Sequence, residues 1–197
     1  MVYKFHADGH GEVFAESTQP GRSPWLGLHY PAEDIPRPAR EVFRRTWLRP
    51  IPDMSDRLAE MVPLLNPDTG KPLDMTHCFL RGVSKMCTEY YRNMGVAATL
   101  TMSIRRGDDL WGLISCLHYE EPIYHSYQIR AACEFFAQVI SLQHGAAQDR
   151  EDHAYQMTQD NVHQQLLAQV VRKNSLTALV TGDTTLLDGF DASGAAL

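Results

Sequence analysis

Beyond Pro122, apolar residues recur at helical spacing and continue to do so until about Asn174. Ile129, Cys133, Phe136 and Ile140 make a stripe over the first part of this stretch. After Gln143 it turns polar and rich in Gln and His, while Val162, Leu166, Gln169 and Val170 keep part of the period. The spacing predicts one helix over about 124–173. A helix of this kind leaves the globule it starts from or packs on a partner, so any compact core must be built mainly from what precedes it.

That preceding sequence carries two pairs of strand-like runs. Residues 2–6 and 12–16 alternate, with Asp8-Gly9-His10-Gly11 between them as turn chemistry, and form a hairpin. Residues 96–104 and 110–119 are rich in β-formers and are joined by Arg105-Arg106-Gly107-Asp108-Asp109, a second hairpin. A third short strand is read over 25–30 and a helix over 38–47, after the Pro-bracketed loop Pro31-Ala32-Glu33-Asp34-Ile35-Pro36. From Pro50 to His77 the pattern is irregular, with a clear turn at Asn66-Pro67-Asp68-Thr69-Gly70. Ser84 precedes a further helix that stops near Gly95. The fold class is α+β: an antiparallel sheet flanked by helices, followed by a long exit helix.

Composition narrows the function. With 44% hydrophobic residues there is material for a core, and a net charge of −6 without a Lys/Arg stripe argues against nucleic acid. No apolar run approaches a membrane span. Cys78, Cys87, Cys116 and Cys133 form no CxxC pair, which suggests free thiols in a reducing, cytoplasmic setting. Cys116 and His118 lie two apart on a strand, but no further ligands accompany them, so no metal site is expected. No nucleophile-elbow sequence supports a Ser/His/Asp triad, and the chain is not expected to be an enzyme.

Three further segments occur in order: the loop Pro31-Ala32-Glu33-Asp34-Ile35-Pro36; Leu80-Arg81-Gly82-Val83-Ser84 with Glu89-Tyr90-Tyr91-Arg92-Asn93-Met94-Gly95; and Leu110-Trp111-Gly112-Leu113-Ile114 with Cys116, His118, Arg130, Cys133 and Glu134. Together with the opening Val2-Tyr3-Lys4-Phe5-His6, they resemble the GAF domain of bacterial phytochromes over residues 1–145. Residues 146–175 then read as a connecting signalling helix. Residues 176–197, with Leu186-Leu187-Asp188-Gly189, resemble the first part of a PHY domain, cut short.

The resemblance implies a sensory domain whose cleft holds biliverdin or a related linear tetrapyrrole. Arg49 and Arg81 match the family's propionate-binding arginines, with Ser84, Thr99 and Thr101 as hydroxyl donors; read without it, the arginines are surface ion-pair partners. Asp34, with Ile35 and Pro36, matches the loop that meets the pyrrole nitrogens. Tyr3, Tyr30 and Tyr90 match aromatic positions around the last ring. Adjacent PAS and PHY domains, a downstream histidine kinase output and a homodimer formed through the long helix belong to the same implication.

Four positions depart from the family pattern. Cys87 stands where the family has the histidine beside the pyrrole water, and Leu117 where it has the histidine beside the last ring's carbonyl. Phe43 replaces a common propionate-binding tyrosine. Met86 occupies the register of the attachment cysteine of plant and cyanobacterial members. The lost imidazoles imply weak or absent chromophore binding, or no cofactor at all; the alternative is a functional bilin-binding photoreceptor with unusual spectral properties.

Overall fold

A computed structural model describes residues 1–55, 59–79, 81–190 and 194. Leu80 of the second motif, and most of the expected segment 192–197, lie outside the described residues. The chain divides into two compact units, Met1–Gly145 and Ala146–Leu197.

The first unit is built on a six-stranded sheet. Its strands are β1 (Val2–Phe5), β2 (Gly11–Ala15), β3 (His29–Tyr30), β4 (Leu48–Ile51), β5 (Ala98–Arg106) and β6 (Asp109–His118), in the spatial order β3-β2-β1-β6-β5-β4. Every pairing is antiparallel. The two expected hairpins are β1–β2 and β5–β6, and β1 pairs with β6 to join them. The helices are α1 (Arg37–Arg45), α2 (Lys85–Asn93) and α3 (Tyr127–Lys173), with a 3-10 turn at Ala32–Asp34.

Period-two alternation gives this sheet two differently used faces. One carries Leu48, Leu100 and Met102, which pack with Ala137 of α3 and with Trp47, Ile114 and Cys133 around them. Burying a side chain such as Leu or Met contributes about 1.5–3 kcal/mol, so this seam holds the start of α3 on the sheet. Ser141 of α3 adds a polar tie: its Oγ accepts from Arg105 N at 3.0 Å and donates to Ala137 O at 2.8 Å. The other face carries two apolar clusters, one around Tyr3, Val13 and Leu113 and one around Ile51, Met54 and Val96.

Two local expectations need correction. Residues 25–28 are not a strand. Leu28 N donates to Trp25 O at 2.9 Å, Gly27 has φ +79°, and the Glu16 carboxylate accepts from Trp25 N and Leu26 N. This is a turn clamped by a carboxylate, and only His29–Tyr30 pair as strand. The helix expected over 38–47 stops at Arg45, because Thr46 is extended and its Oγ1 bonds back to Val42 O at 2.8 Å. The next residues, unassigned by sequence, form the edge strand β4 against β5. Pro50 is tolerated there because an edge strand need not donate on both sides.

The second unit holds the rest of α3 and two 3-10 turns, Leu176–Leu179 and Leu186–Gly189. Leu166, Gln169 and Ala178 are buried in it. Gln169 Nε2 donates to Thr184 O at 3.2 Å, Lys173 Nζ donates to Thr181 O at 2.8 Å, and Thr185 with Asp188 forms a capping box for the last turn.

Candidate functional site

Strand register decides which candidate side chains share a surface. Thr99 and Thr101 alternate onto one face of β5, opposite Leu117 and Ser115 of β6. Arg49 of β4 pairs with Thr101, Tyr3 of β1 with Leu113, and Tyr30 of β3 with Gly11. Six expected site residues (Tyr3, Tyr30, Arg49, Thr99, Thr101 and Leu117) therefore lie on the face opposite α3.

At the β1–β3 end of this face, Tyr3 is packed with Tyr30, Ile35 and Phe43. The Tyr3 and Tyr30 rings are 6.1 Å apart. Asp34 closes the 3-10 turn above them, and the Tyr90 hydroxyl, from α2, donates to its Oδ2 at 3.3 Å. Burial, and then the Asp34 charge, push the Tyr3 phenol up to about 12. The same two causes raise Tyr30 and Tyr90. Asp34 thus accepts from the Tyr90 phenol, while its charge acts on the Tyr3 and Tyr30 phenols. Pro36 serves as the N-cap residue of α1, its carbonyl accepting from Ala39 N and Arg40 N.

Two side chains that the sequence reading did not single out hold this end in place. Arg40 donates through Nε to Ile35 O (2.6 Å) and through Nη2 to Gly9 O (2.6 Å) and Ala32 O (2.9 Å), which staples the loop to the first hairpin. Ser103 Oγ reaches the carbonyls of Phe43 and Thr46 at 2.8 and 2.9 Å, fixing the end of α1. An arginine on a short polar helix and a serine in a strand carry no motif that would have marked either.

At the β4 end the chemistry is cationic. Arg49 Nη2 donates to the carbonyls of Arg81 (3.3 Å) and Gly82 (3.1 Å), and Arg81 Nη1 to those of Met75 and Thr76, both at 3.3 Å. Among the described residues neither guanidinium has a carboxylate at salt-bridge distance. Burial, and then the neighbouring Arg81 charge, lower Arg49 to about 10. Thr99 Oγ1 is buried with no hydrogen-bond partner among the described residues, whereas Thr101 Oγ1 meets Ser115 Oγ at 3.4 Å.

Between these ends, Cys87 and Leu117 both pack on the cluster of Ile51, Met54 and Val96. Burial pushes the Cys87 thiol up, away from thiolate character. Ser84 is the N-cap of α2, its Oγ accepting from Cys87 N at 3.4 Å, and is exposed. Met86, at 68% exposure, faces solvent rather than the sheet.

The cavities do not collect the whole set. One of about 240 Å³ is bordered by Arg49, Arg81, Leu48, Thr76 and Cys78. A larger one, about 960 Å³, has Arg81, Ile51, Lys85, Thr88 and Arg92 in its wall. A third, about 390 Å³, includes Ser115 and Leu117. Tyr3, Tyr30, Asp34, Cys87, Tyr90, Thr99 and Thr101 border none of these three.

Comparison with known proteins gives a consistent picture. The GAF domain family profile matches residues 2–144. The whole chain is 40% identical to 26% of a cyanobacterial phytochrome A of Nostoc sp.. It is 35% identical to 31% of a bacteriophytochrome of Xanthomonas campestris pv. campestris. The chain thus spans about a quarter to a third of the length of these curated relatives. Among solved structures, it resembles an unusual bacteriophytochrome of R. palustris (TM-score 0.78, 37% identity, 90% of this chain and 35% of that one). The chromophore-binding domain of that protein gives a TM-score of 0.72 at 40% identity, over 76% of this chain and 50% of that one.

Proposed function

The chain belongs to the GAF domain family, with the phytochromes as its homologues, and on that premise we propose that it is a sensory module with a modified, weakly holding bilin cleft. The observation that carries this reading is Arg49. Among the described residues this partly buried guanidinium donates to carbonyls, lies near a second guanidinium and has no carboxylate at salt-bridge distance. One ladder step away, Thr99 keeps a buried hydroxyl without a partner among the described residues. A carboxylate in the cavity beside Arg49 satisfies the guanidinium, and arginine suits carboxylates through its paired donors.

A linear tetrapyrrole such as biliverdin fits this donor set, having propionates for Arg49, Arg81, Thr99 and Thr101 and pyrrole N–H groups for Asp34. When bound, it supplies the visible absorption. The chain's part is to hold it: Asp34 accepts, Tyr90 steadies Asp34, and Tyr3, Tyr30, Ile35 and Phe43 supply apolar walls. Cys87 and Leu117 offer no imidazole, and both pack on the Ile51, Met54 and Val96 cluster. The grip on the propionates is therefore kept, while control of the pyrrole proton is lost. With Met86 facing solvent and the Cys87 thiol pushed up, attachment at either of these two positions is disfavoured.

Mixing the protein with biliverdin tests this. A red absorption band that disappears on gel filtration, and that weakens at least tenfold with Arg49→Gln, is expected. Strong retention through denaturation, or indifference to Arg49→Gln, would overturn the reading.

The surroundings follow from the same proposal. The module works in the cytoplasm between PAS and PHY domains, upstream of an output domain that does the chemistry, and it forms a homodimer through α3. Phe135 and Leu142 are 67% and 75% exposed on α3 outside its seam with the sheet, a face a second copy would cover. Sedimentation of Phe135→Asp as a monomer, against a dimeric parent, is the expected result. No described helix is long and apolar enough to cross a membrane.

A further inference from the structure

We propose that His6, His10 and His29 form a binding site for a divalent transition metal of the zinc or cobalt class, at the edge of the sheet beside the first hairpin. One ring nitrogen from each lies within 4.8 Å of the others. The three come from separate places in the chain. His6 follows β1, His10 precedes β2, and His29 opens β3 opposite Glu12. No spacing rule would have grouped them; the β1–β2–β3 register does.

The rings are packed, not merely near. His6 and His10 stack at 4.2 Å with their planes 6° apart, and the His29 ring lies 5.0 Å from His10 and 5.9 Å from His6. Each of the first two also has a carboxylate on one nitrogen. Glu12 Oε2 is 2.9 Å from His6 Nε2, and Asp8 Oδ1 is 2.6 Å from His10 Nδ1. A carboxylate on one ring nitrogen keeps the proton there and leaves the other nitrogen's lone pair for a metal. Glu12 and Asp8 also balance the charge of a dication.

The frame is built before any ion arrives. His6 N donates to His10 O and Gly9 N to His6 O, both at 2.9 Å, closing the hairpin tip. Arg40 holds that tip through Gly9 O. His29 is exposed, which leaves an open side for a water as fourth ligand and lets its ring turn inward. Metal–nitrogen bonds of about 2.0–2.1 Å need the nitrogens to close from the present span, and His29 is the ring free to do it.

Cobalt(II) is the probe, because it reports its own ligands. Titration of the full chain should show one equivalent bound, with ligand-field bands of nitrogen and oxygen ligation and no thiolate charge-transfer band from the four free cysteines. Zinc should displace it. His10→Gln and His29→Gln should each abolish the bands, Glu12→Gln should weaken binding about 10–100-fold by freeing the His6 tautomer, and His153→Gln should change nothing. Because His29 is exposed on a two-residue edge strand, its variant should keep the parent's circular dichroism, and it decides the matter should His10→Gln fail to fold. No cobalt binding, a thiolate band, or unchanged binding by His29→Gln would overturn the site.

Discussion

The Tyr90 hydroxyl on α2 donates to Asp34 Oδ2 in the 3-10 turn at 3.3 Å, joining positions 56 apart in sequence. This is a direct polar tie between α2 and the 3-10 turn beside Ile35. It is long and exposed, so its energetic weight is small and its value lies in placing the carboxylate. Tyr90→Phe should cost no more than about 0.5–1.5 kcal/mol in urea unfolding, yet lower biliverdin affinity. A larger loss of stability with unchanged binding would make Tyr90 a core residue only.

Alkaline stability should depend on Tyr3. Its phenol is raised to about 12 in the folded protein, by burial and then by Asp34, against about 10 in an unfolded chain. The unfolded chain therefore loses its proton first as pH rises. The stabilisation is complete below about pH 10 and is lost as pH climbs through about 12. Melting temperatures across that range should fall more steeply for the parent than for Tyr3→Phe.

Arg49 has the opposite sign. Its folded value is lowered to about 10, so the charged form is disfavoured by folding, and this cost at neutral pH is relieved only as pH rises through about 10. Arg49→Gln should therefore raise the melting temperature of the ligand-free protein, by about 2–4 °C if ~1 kcal/mol is recovered. The same variant should lose the stabilisation that added biliverdin confers on the parent.

Gly11 is required by contact. A Cβ built there would overlap the ring of Tyr3. Gly11→Ala should destabilise the domain by at least about 1–3 kcal/mol, the usual cost of overpacking. Tyr3→Leu in the same chain should recover part of that loss, since the two changes share one space. Simple additivity in a double-mutant cycle would refute the contact.

Cys87→His and Leu117→His together should strengthen biliverdin binding at least tenfold by returning two donors to the cleft. Both residues pack on Ile51, Met54 and Val96, so each imidazole should cost about 1–3 kcal/mol of stability, with non-additive sums. A folded double variant with unchanged biliverdin affinity would place the weakness elsewhere.

Much of this architecture is local, and local features were readable in the sequence. Both hairpins follow from alternation around turn residues, α2 from its Ser84 cap and its stop before Gly95, and α3 from its long periodic run. Period two also places Thr99 with Thr101 on one side of β5, whatever lies against it. The remainder depended on distant partners. β4 exists because β5, nearly fifty positions later, offers it an edge, and residues 25–28 turn because Glu16 clamps their backbone. Arg40 became the staple of the Asp34 loop, and three unremarkable histidines became one cluster, only when β1, β2 and β3 were laid side by side. Turn chemistry and periodicity are carried by neighbours in the chain and can be read there. Register between strands, and the burial that takes part of Arg49 and all of the Thr99 hydroxyl from solvent, arise from packing between segments remote in sequence, which only the folded chain defines.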